Sequence, residues 1–400
     1  MTFSYSALRR FPDVEAPNLQ AWDATDELLV QHALATDLSG HELVVVGDEY
    51  GAITLGLTDA GRHGVRVHQD SATGRLALAR NAHALELTGF VSHELEPALL
   101  RGARLVLVQL PKALAALDEM ADAVARWSAP DVVLVAGGRV KHMTLAQNDV
   151  LTRSFTRVQP QRAERKSRLI VASGAQAIAD RSPFPVAEPV VVPGLAEPLV
   201  LCAHGGAFAG ARLDIGTRVL LDVLADAQLS KDRPDRAETA PDRAEVDDSE
   251  GVVHPRPRAV LDLGCGTGAL AAWYALLHPS ARVTATDRSA AAVASARQTM
   301  IANGVADRVA VTHDDAGAEL PEASADLILL NPPFHLGASV HTGAATRLFE
   351  ASARLLKPGG ELLTVYNSSL GYRADLTRFI GETVQLRRTP KFTVTRSVRR

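Results

Sequence analysis

The tetrapeptide Asn331-Pro332-Pro333-Phe334 follows an apolar run, Asp326-Leu327-Ile328-Leu329-Leu330. Its residue types suit one kind of chemistry. A planar, conjugated amino nitrogen is a poor nucleophile because its lone pair is delocalised. Two acceptors aimed at its N–H groups draw that pair back onto nitrogen: the side-chain oxygen of Asn331 and the backbone carbonyl of Pro332. Pro332 and Pro333 fix φ and carry no N–H of their own, which sets the carbonyl direction in advance. The ring of Phe334 can stack on a flat substrate. The expected reaction is methyl transfer to such a nitrogen. His335, next in the chain, can orient the base or receive a proton, or serve only as a packed structural histidine.

A donor site for that methyl group is expected upstream. Asp262-Leu263-Gly264-Cys265-Gly266-Thr267-Gly268 lies between a strand pattern, Val260–Leu263, and a helical one, Ala269–Leu277. Gly264 and Gly266 permit a tight turn and close backbone approach, and Gly268 lets the helix start pack on the strand. A glycine turn alone also fits a dinucleotide. Three details favour S-adenosyl-L-methionine. Asp262 stands where it can hold an ammonium group. Asp287 closes the second strand, where an acid accepts from ribose hydroxyls. Asp314 and Asp315 follow the third strand, within reach of an adenine amine, although solvated loop acids are a close alternative. Phe208 to Arg218 precedes a helix, Val219–Leu224, and brings Phe208, Asp214 and Gly216 over the methionine end. Asp214 also suits a helix cap.

The elements that must position these residues are strands alternating with helices. Strand patterns at Val260–Leu263, Val283–Asp287, Val309–Thr312 and Leu327–Leu330 alternate with helices, as in a parallel sheet covered on both faces. The first half repeats the order: Leu43–Gly47, Val65–His68 and Leu105–Val108, with helices at Ala77–Leu87 and Ala113–Trp127. Leu105–Val108 followed by Gln109-Leu110-Pro111-Lys112 aligns without gaps on Leu327–Leu330 followed by Asn331-Pro332-Pro333-Phe334. The expected fold is α/β, two tandem Rossmann-like domains from duplication, the first degenerate. In that first copy Asp262 becomes Val45, Gly266 becomes Glu49, Asn331 becomes Gln109 and Phe334 becomes Lys112. Glu49 places a side chain where a cofactor needs bare backbone. Residues 1–185 are therefore expected to form a domain for RNA binding or scaffolding, and 186–400 the catalytic domain. Residues 153–201 are proline-rich and partly extended. Gln228–Arg258 is charged, proline-bearing and poor in aliphatics, and is expected to be a disordered insertion.

Composition narrows the class. Four hundred residues imply two cores, and 46% apolar content can fill them. The net charge of −4 gives no global pull on nucleic acid, so any polyanion site is a local patch. Two separated cysteines, Cys202 and Cys265, argue against a disulfide scaffold or cysteine-rich zinc site, and no metal is expected. Neither a signal segment nor a membrane span is legible, so a cytoplasmic protein is expected.

These residues resemble class I methyltransferases of the "small domain" group. The tandem arrangement resembles the ribosomal RNA guanine-N2 methyltransferases, the large-subunit branch more closely than the small-subunit one. The likeness covers Leu8-Arg9-Arg10-Phe11-Pro12, Leu19-Gln20-Ala21-Trp22-Asp23-Ala24, Phe208–Arg218, Asp262–Gly268 and Asn331–His335, and excludes the 228–258 insertion. It implies a guanine turned out of its RNA context and methylated at its exocyclic amine, with the degenerate copy helping to bind RNA. RNA then meets cations at Arg153, Arg157, Arg162, Arg165, Lys166 and Arg168, or at Arg387, Arg388, Lys391, Arg396, Arg399 and Arg400 around Phe392. Solvated surface is the close alternative for both clusters. A monomer is expected. Small-subunit RNA, a protein glutamine and a non-catalytic RNA-binding assembly role are the rival readings.

Overall fold

A computed structural model describes residues 3–176, 181–231, 258–333 and 337–400. The chain forms two compact units. One spans Met1–Val186 with His204–Ala207 and Arg288–Ala291; the other spans Ala187–Ala203, Phe208–Asp287 and Ala292–Arg400. A single cut at residue 185 is thus too simple, because compactness follows contacts rather than chain order.

The strands are β1 (Leu43–Val46), β2 (Val65–His68), β3 (Phe90–Ser92), β4 (Leu105–Gln109), β5 (Val133–Arg139), β6 (Phe155–Pro160), β7 (Ser167–Ala175), β8 (Val186–Val190), β9 (Leu199–Ala203), β10 (Ala259–Leu263), β11 (Arg282–Asp287), β12 (Val309–His313), β13 (Ala325–Leu330), β14 (Leu356–Asn367), β15 (Thr383–Arg388) and β16 (Phe392–Val398). The helices are α1 (Ala24–Leu34), α2 (Ala52–Asp59), α3 (Ala72–Ala84), α4 (Pro97–Leu100), α5 (Leu114–Trp127), α6 (Ala146–Leu151), α7 (Ile215–Lys231), α8 (Ala269–Leu277), α9 (Ala290–Ala302), α10 (Gly337–Leu355) and α11 (Arg373–Phe379).

The first sheet has the order β3-β2-β1-β4-β5-β7-β6, and the second has β12-β11-β10-β13-β14-β16-β15. The two orders are the same, element for element, which is the duplication expressed as topology. In each sheet the first five strands are parallel and a final antiparallel hairpin closes the edge. Strand β8 pairs with β9 in a separate two-stranded sheet.

Both faces of each large sheet are covered, so its strands read as unbroken apolar runs. Strand parity sorts the side chains. In β13, Leu327 and Leu329 enter one core of the second unit, while Ile328 and Leu330 enter the other. In β10, Val260 enters the first of these cores, and Leu261 and Leu263 the second. Asp262 shares the parity of Val260, so its carboxylate lies on the face that α8 covers. In the first unit Leu105 and Leu107 part from Val106 and Val108 in the same way.

The structure changes two sequence expectations and fills in a third. The helix expected at Val219–Leu224 runs from Ile215 to Lys231 and takes in the start of the supposed insertion; residues 232–257 lie outside the described residues. The partly extended stretch 153–201 contains β6 and β7, which add a hairpin to the first sheet. Strand β6 was hidden because most of its residues are exposed at the sheet edge and lack an apolar run. The helix expected at Ala77–Leu87 starts five residues earlier and ends at Ala84. Among the described residues no helix is long and apolar enough to cross a membrane.

Trp273 on α8 is buried, and its indole Nε1 donates to the carbonyl of Pro193 at 2.7 Å. Trp273→Ala removes both the packing and that bond. The unfolding transition of the second unit is expected to lose about 3–5 kcal/mol in a denaturant titration; a loss under 1 kcal/mol contradicts this account of the core.

Candidate active site

Strands β10 and β13 are parallel neighbours with Leu263 opposite Leu330. The residues that follow, Gly264 and Asn331, therefore leave adjacent strand ends on the carboxyl edge of the sheet. The order of strands reverses at this pair, which is where open α/β sheets bind ligands.

Asn331 is fixed by α7. Its Nδ2 donates to Asp214 Oδ2 and to Thr217 Oγ1, each at 2.9 Å. Asp214 precedes α7, and the same Oδ2 accepts from the Thr217 N–H at 3.2 Å, so the capping carboxylate also holds the Asn331 amide. With both amide protons engaged, Asn331 Oδ1 is left as an acceptor. It is buried and has no hydrogen bond among the described residues. Gly216 makes room for this cluster: a Cβ there would lie 3.0 Å from Asp214 Oδ2, 3.2 Å from Phe392 Cε1 and 3.4 Å from Asn331 Oδ1. Thr217 escaped the sequence reading. The signal was its place three residues after a capping acid. Phe392, grouped above with surface cations, is buried in the core instead.

The glycine turn follows β10. Gly264 has φ 76°, Gly266 φ 54° and Gly268 φ 80°, all values that disfavour side chains. Gly264 and Cys265 donate to the Thr286 carbonyl at 2.9 and 3.0 Å, which ties the turn to β11. A Cβ at Gly264 or Gly266 would meet nothing within 4 Å, so both face open space. Gly268 differs: a Cβ there would come within 2.6 Å of Met300 Cε and 3.0 Å of Ala296 Cβ. Its bareness serves packing on α9 rather than on the strand, as the sequence had suggested. Burial pushes the Cys265 thiol well up, which leaves no ready thiolate nucleophile in the turn.

Asp287 at the end of β11 accepts from the Gly266 N–H at 2.9 Å, so it braces the turn. Asp262 is fully buried and accepts from the Ala271 N–H of α8 at 3.0 Å. Burial raises its carboxyl to about 7; the Ala271 bond opposes this and Asp287 adds to it. Asp314 is buried and accepts from the Glu319 N–H at 2.9 Å, and Asp315 pairs with Arg347. Neither is a solvated loop acid. Phe208 is 65% exposed. Pro332 is buried and Pro333 exposed. Phe334 and His335 lie outside the described residues.

The first unit shows the same frame with its polar groups turned inward. Val46 is opposite Val108, so Gly47 and Gly51 take the places of Gly264 and Gly268, with φ 84° and 95°. Asp48 replaces Cys265. Its buried carboxylate accepts from Gly51 N at 3.1 Å and Thr54 N at 2.7 Å, which occupies the start of α2. Gln69 replaces Asp287 and donates to the Asp48 carbonyl. Gln109 replaces Asn331 and donates to Asp26, whose carboxyl burial holds well above its ordinary range. Groups that would meet a cofactor thus bond to one another.

The raised Asp262 carboxyl has a stability consequence. The fold favours the protonated form, so this contribution is complete below about pH 4 and is lost as pH rises to about 7, reaching about 4 kcal/mol at most. Asp262→Asn keeps an oxygen for Ala271 and should flatten the stability–pH curve between pH 4 and 7, with a gain over wild type at pH 8. Equal slopes in thermal melts of both proteins contradict the assignment.

Comparison with known proteins agrees with this geometry. Residues 250–396 match the methyltransferase small domain, and residues 1–176 match the RLMG N-terminal domain. The chain is 34% identical over 398 residues to ribosomal RNA large subunit methyltransferase G of Pseudomonas paraeruginosa, covering 98% of this chain and 97% of that protein. The Streptomyces avermitilis protein of the same name is 33% identical, with 98% and 97% covered. The Thermus thermophilus 16S rRNA N2 G1207 methyltransferase RsmC, solved with AdoMet and guanosine, has the same fold at a TM-score of 0.72 and 22% identity, covering 97% of each chain. A glycine turn and an oriented asparagine on one duplicated frame, with full-length likeness above 30%, place the chain in the ribosomal RNA large subunit methyltransferase G family.

Proposed function

We propose that the chain transfers a methyl group from S-adenosylmethionine to the exocyclic N2 amine of a guanine in large-subunit ribosomal RNA. The observation that carries the chemistry is the Asn331 amide, held by Asp214 and Thr217 with its oxygen buried and unpartnered. The large-subunit assignment rests on the names of full-length relatives.

The residues present fit the donor. Bare backbone at Gly264 and Gly266 faces open space where a side chain would intrude. Asp262 is assigned to the ammonium, Asp287 to the ribose hydroxyls and Asp314 and Asp315 to the adenine end. Phe208, Asp214 and Gly216 are assigned to the methionine end. S-adenosylmethionine supplies a methyl group on a sulfonium, an electrophile with a neutral leaving group. Asn331 Oδ1 and the Pro332 carbonyl accept from the guanine amine and localise its lone pair. Phe334 is assigned to stacking on the base. Asp214 spends its charge on fixing the asparagine, so the acceptor needs no reorganisation during reaction. The proton left on nitrogen becomes acidic as positive charge develops, so no strong base is required.

The test is transfer of labelled methyl to rRNA that lacks its own methylation, followed by mapping of the labelled nucleotide. Label on a guanine amine of large-subunit RNA is expected. Asn331→Ala should lower turnover at least ~100-fold while cofactor affinity stays within about threefold. Label on small-subunit RNA or on protein, or an Asn331→Ala enzyme of unchanged rate, overturns the proposal.

A further inference from the structure

The second unit carries a surface depression of about 440 Å³. Its walls are Glu188, Pro189 and Val190 at the end of β8, and Arg212, Leu213 and Arg218 at the entry to α7. Both arginines are exposed and stand in this one opening. Among the described residues Arg212 makes no hydrogen bond or ion pair, and the Arg218 side chain makes one long bond, from Nη1 to the Val191 carbonyl at 3.3 Å. Other arginines of this unit pair with acids, as Arg258, Arg347, Arg387 and Arg396 do. Two guanidinium groups that share one opening repel each other, and an anion with several oxygens relieves that repulsion by accepting from both.

The depression adjoins the group that aims Asn331. Arg218 follows Thr217, and its backbone N–H donates to the Asp214 carbonyl at 2.9 Å. Arg212 stands two residues before Asp214. The two cations thus bracket, in the chain, the pair of residues that holds the Asn331 amide. Apolar surface continues from the opening. Val191, whose carbonyl takes the Arg218 bond, is 75% exposed. Ile215 is 58% exposed and lies three residues before Arg218, on the same face of α7. Exposed apolar side chains beside unpaired arginines mark a contact surface, and they suit a strand that offers sugar and base as well as phosphate.

We propose that this depression seats one backbone phosphate of the substrate RNA beside the target guanine, held by Arg212 and Arg218. The proposal rests on the assignment of RNA as substrate. Phosphate contacts fix the register of a strand, while the base itself is held elsewhere. The seat therefore positions the strand as the guanine reaches Asn331. Neither arginine belongs to the two cationic groups legible in the sequence, and a local pair of this kind serves a chain whose net charge is −4. Glu188 opposes the anion from the same wall, so the seat is weaker than two arginines alone would make it.

The test uses the full chain and a fluorescent fragment of large-subunit rRNA that carries the mapped guanine, at several salt concentrations. With Arg212→Gln and Arg218→Gln combined, RNA affinity should fall about tenfold, and the slope of log affinity against log salt should drop by about 0.7, the value for one phosphate of a single strand. KM for RNA should rise while kcat stays within about twofold, because such a contact is made equally in ground and transition states. Glu188→Gln should act in the opposite direction and tighten binding about twofold. Arg212→Gln alone, at a side chain that bonds to nothing in the fold, should show part of the loss at an unchanged melting temperature. Cofactor affinity of every variant should match wild type. Wild-type RNA affinity and salt slope in the double variant, with methylation intact, overturn the phosphate seat and leave the methyltransferase assignment standing. A fall in kcat at constant KM also overturns it. A wild-type chain that neither binds nor methylates rRNA overturns both readings. Inorganic phosphate that competes for the two arginines and that RNA cannot displace makes the ligand a free anion and overturns the RNA source.

Discussion

The register of β10 against β13 is the constraint on which the rest of the second unit depends. With Leu263 opposite Leu330, the glycine turn and Asn331 leave neighbouring strands at one edge of the sheet. Parallel strands spaced about 5 Å apart bring the two together without any further device. A slip of one residue would turn Asp262 away from α8 and send Leu261 and Leu263 to the wrong core. The apolar runs that fill both faces guard against such a slip. The same packing that stabilises the sheet therefore aligns the groups at its edge.

The polar groups at that edge divide their work. Asp214 caps α7, and through the same oxygen it orients Asn331. Asp287 braces the turn through Gly266, and Asp262 joins β10 to the start of α8. Each acid thus holds backbone in place. The buried Asn331 oxygen is the exception, since nothing among the described residues satisfies it. A fold that leaves a buried acceptor unpaired forgoes stability there, and an oriented acceptor is useful where an amine must be activated.

The duplicate makes the comparison sharper. The first unit keeps the strand order, the turn glycines at Gly47 and Gly51, and an amide at the position of Asn331. It loses the openings. Asp48, Gln69 and Gln109 satisfy their own neighbours, so the frame survives as packing while its former site closes on itself. Its buried unpaired atoms include Thr54 Oγ1 and Gln69 Oε1 in that frame, as well as Asn148 Oδ1 and Arg168 Nε near the terminal hairpin. The equivalent hairpin of the second unit, β15 and β16, carries the other cationic group, but its Phe392 faces inward and Arg396 pairs with Glu361. Basic residues on matching hairpins are thus not matching surfaces.

The sequence by itself determined the α/β class, the repeated strand–turn–helix order and the positions of both motifs. These follow from local patterns: apolar runs of strand length, glycines where φ must be positive, and an Asn-Pro-Pro run whose backbone is restrained by its own rings. It also carried the substitutions of the motif residues in the first copy, because Val45, Glu49 and Gln109 align without gaps. Tertiary structure decided what depends on residues distant in the chain. Thr217 and Asp214 meet Asn331 across more than a hundred residues, and Gly268 packs on Met300 of another helix. The outermost strands β6 and β15 were invisible because exposed strands carry no continuous apolar run. Which cations pair with acids was not legible either, since such contacts arise only when distant segments meet.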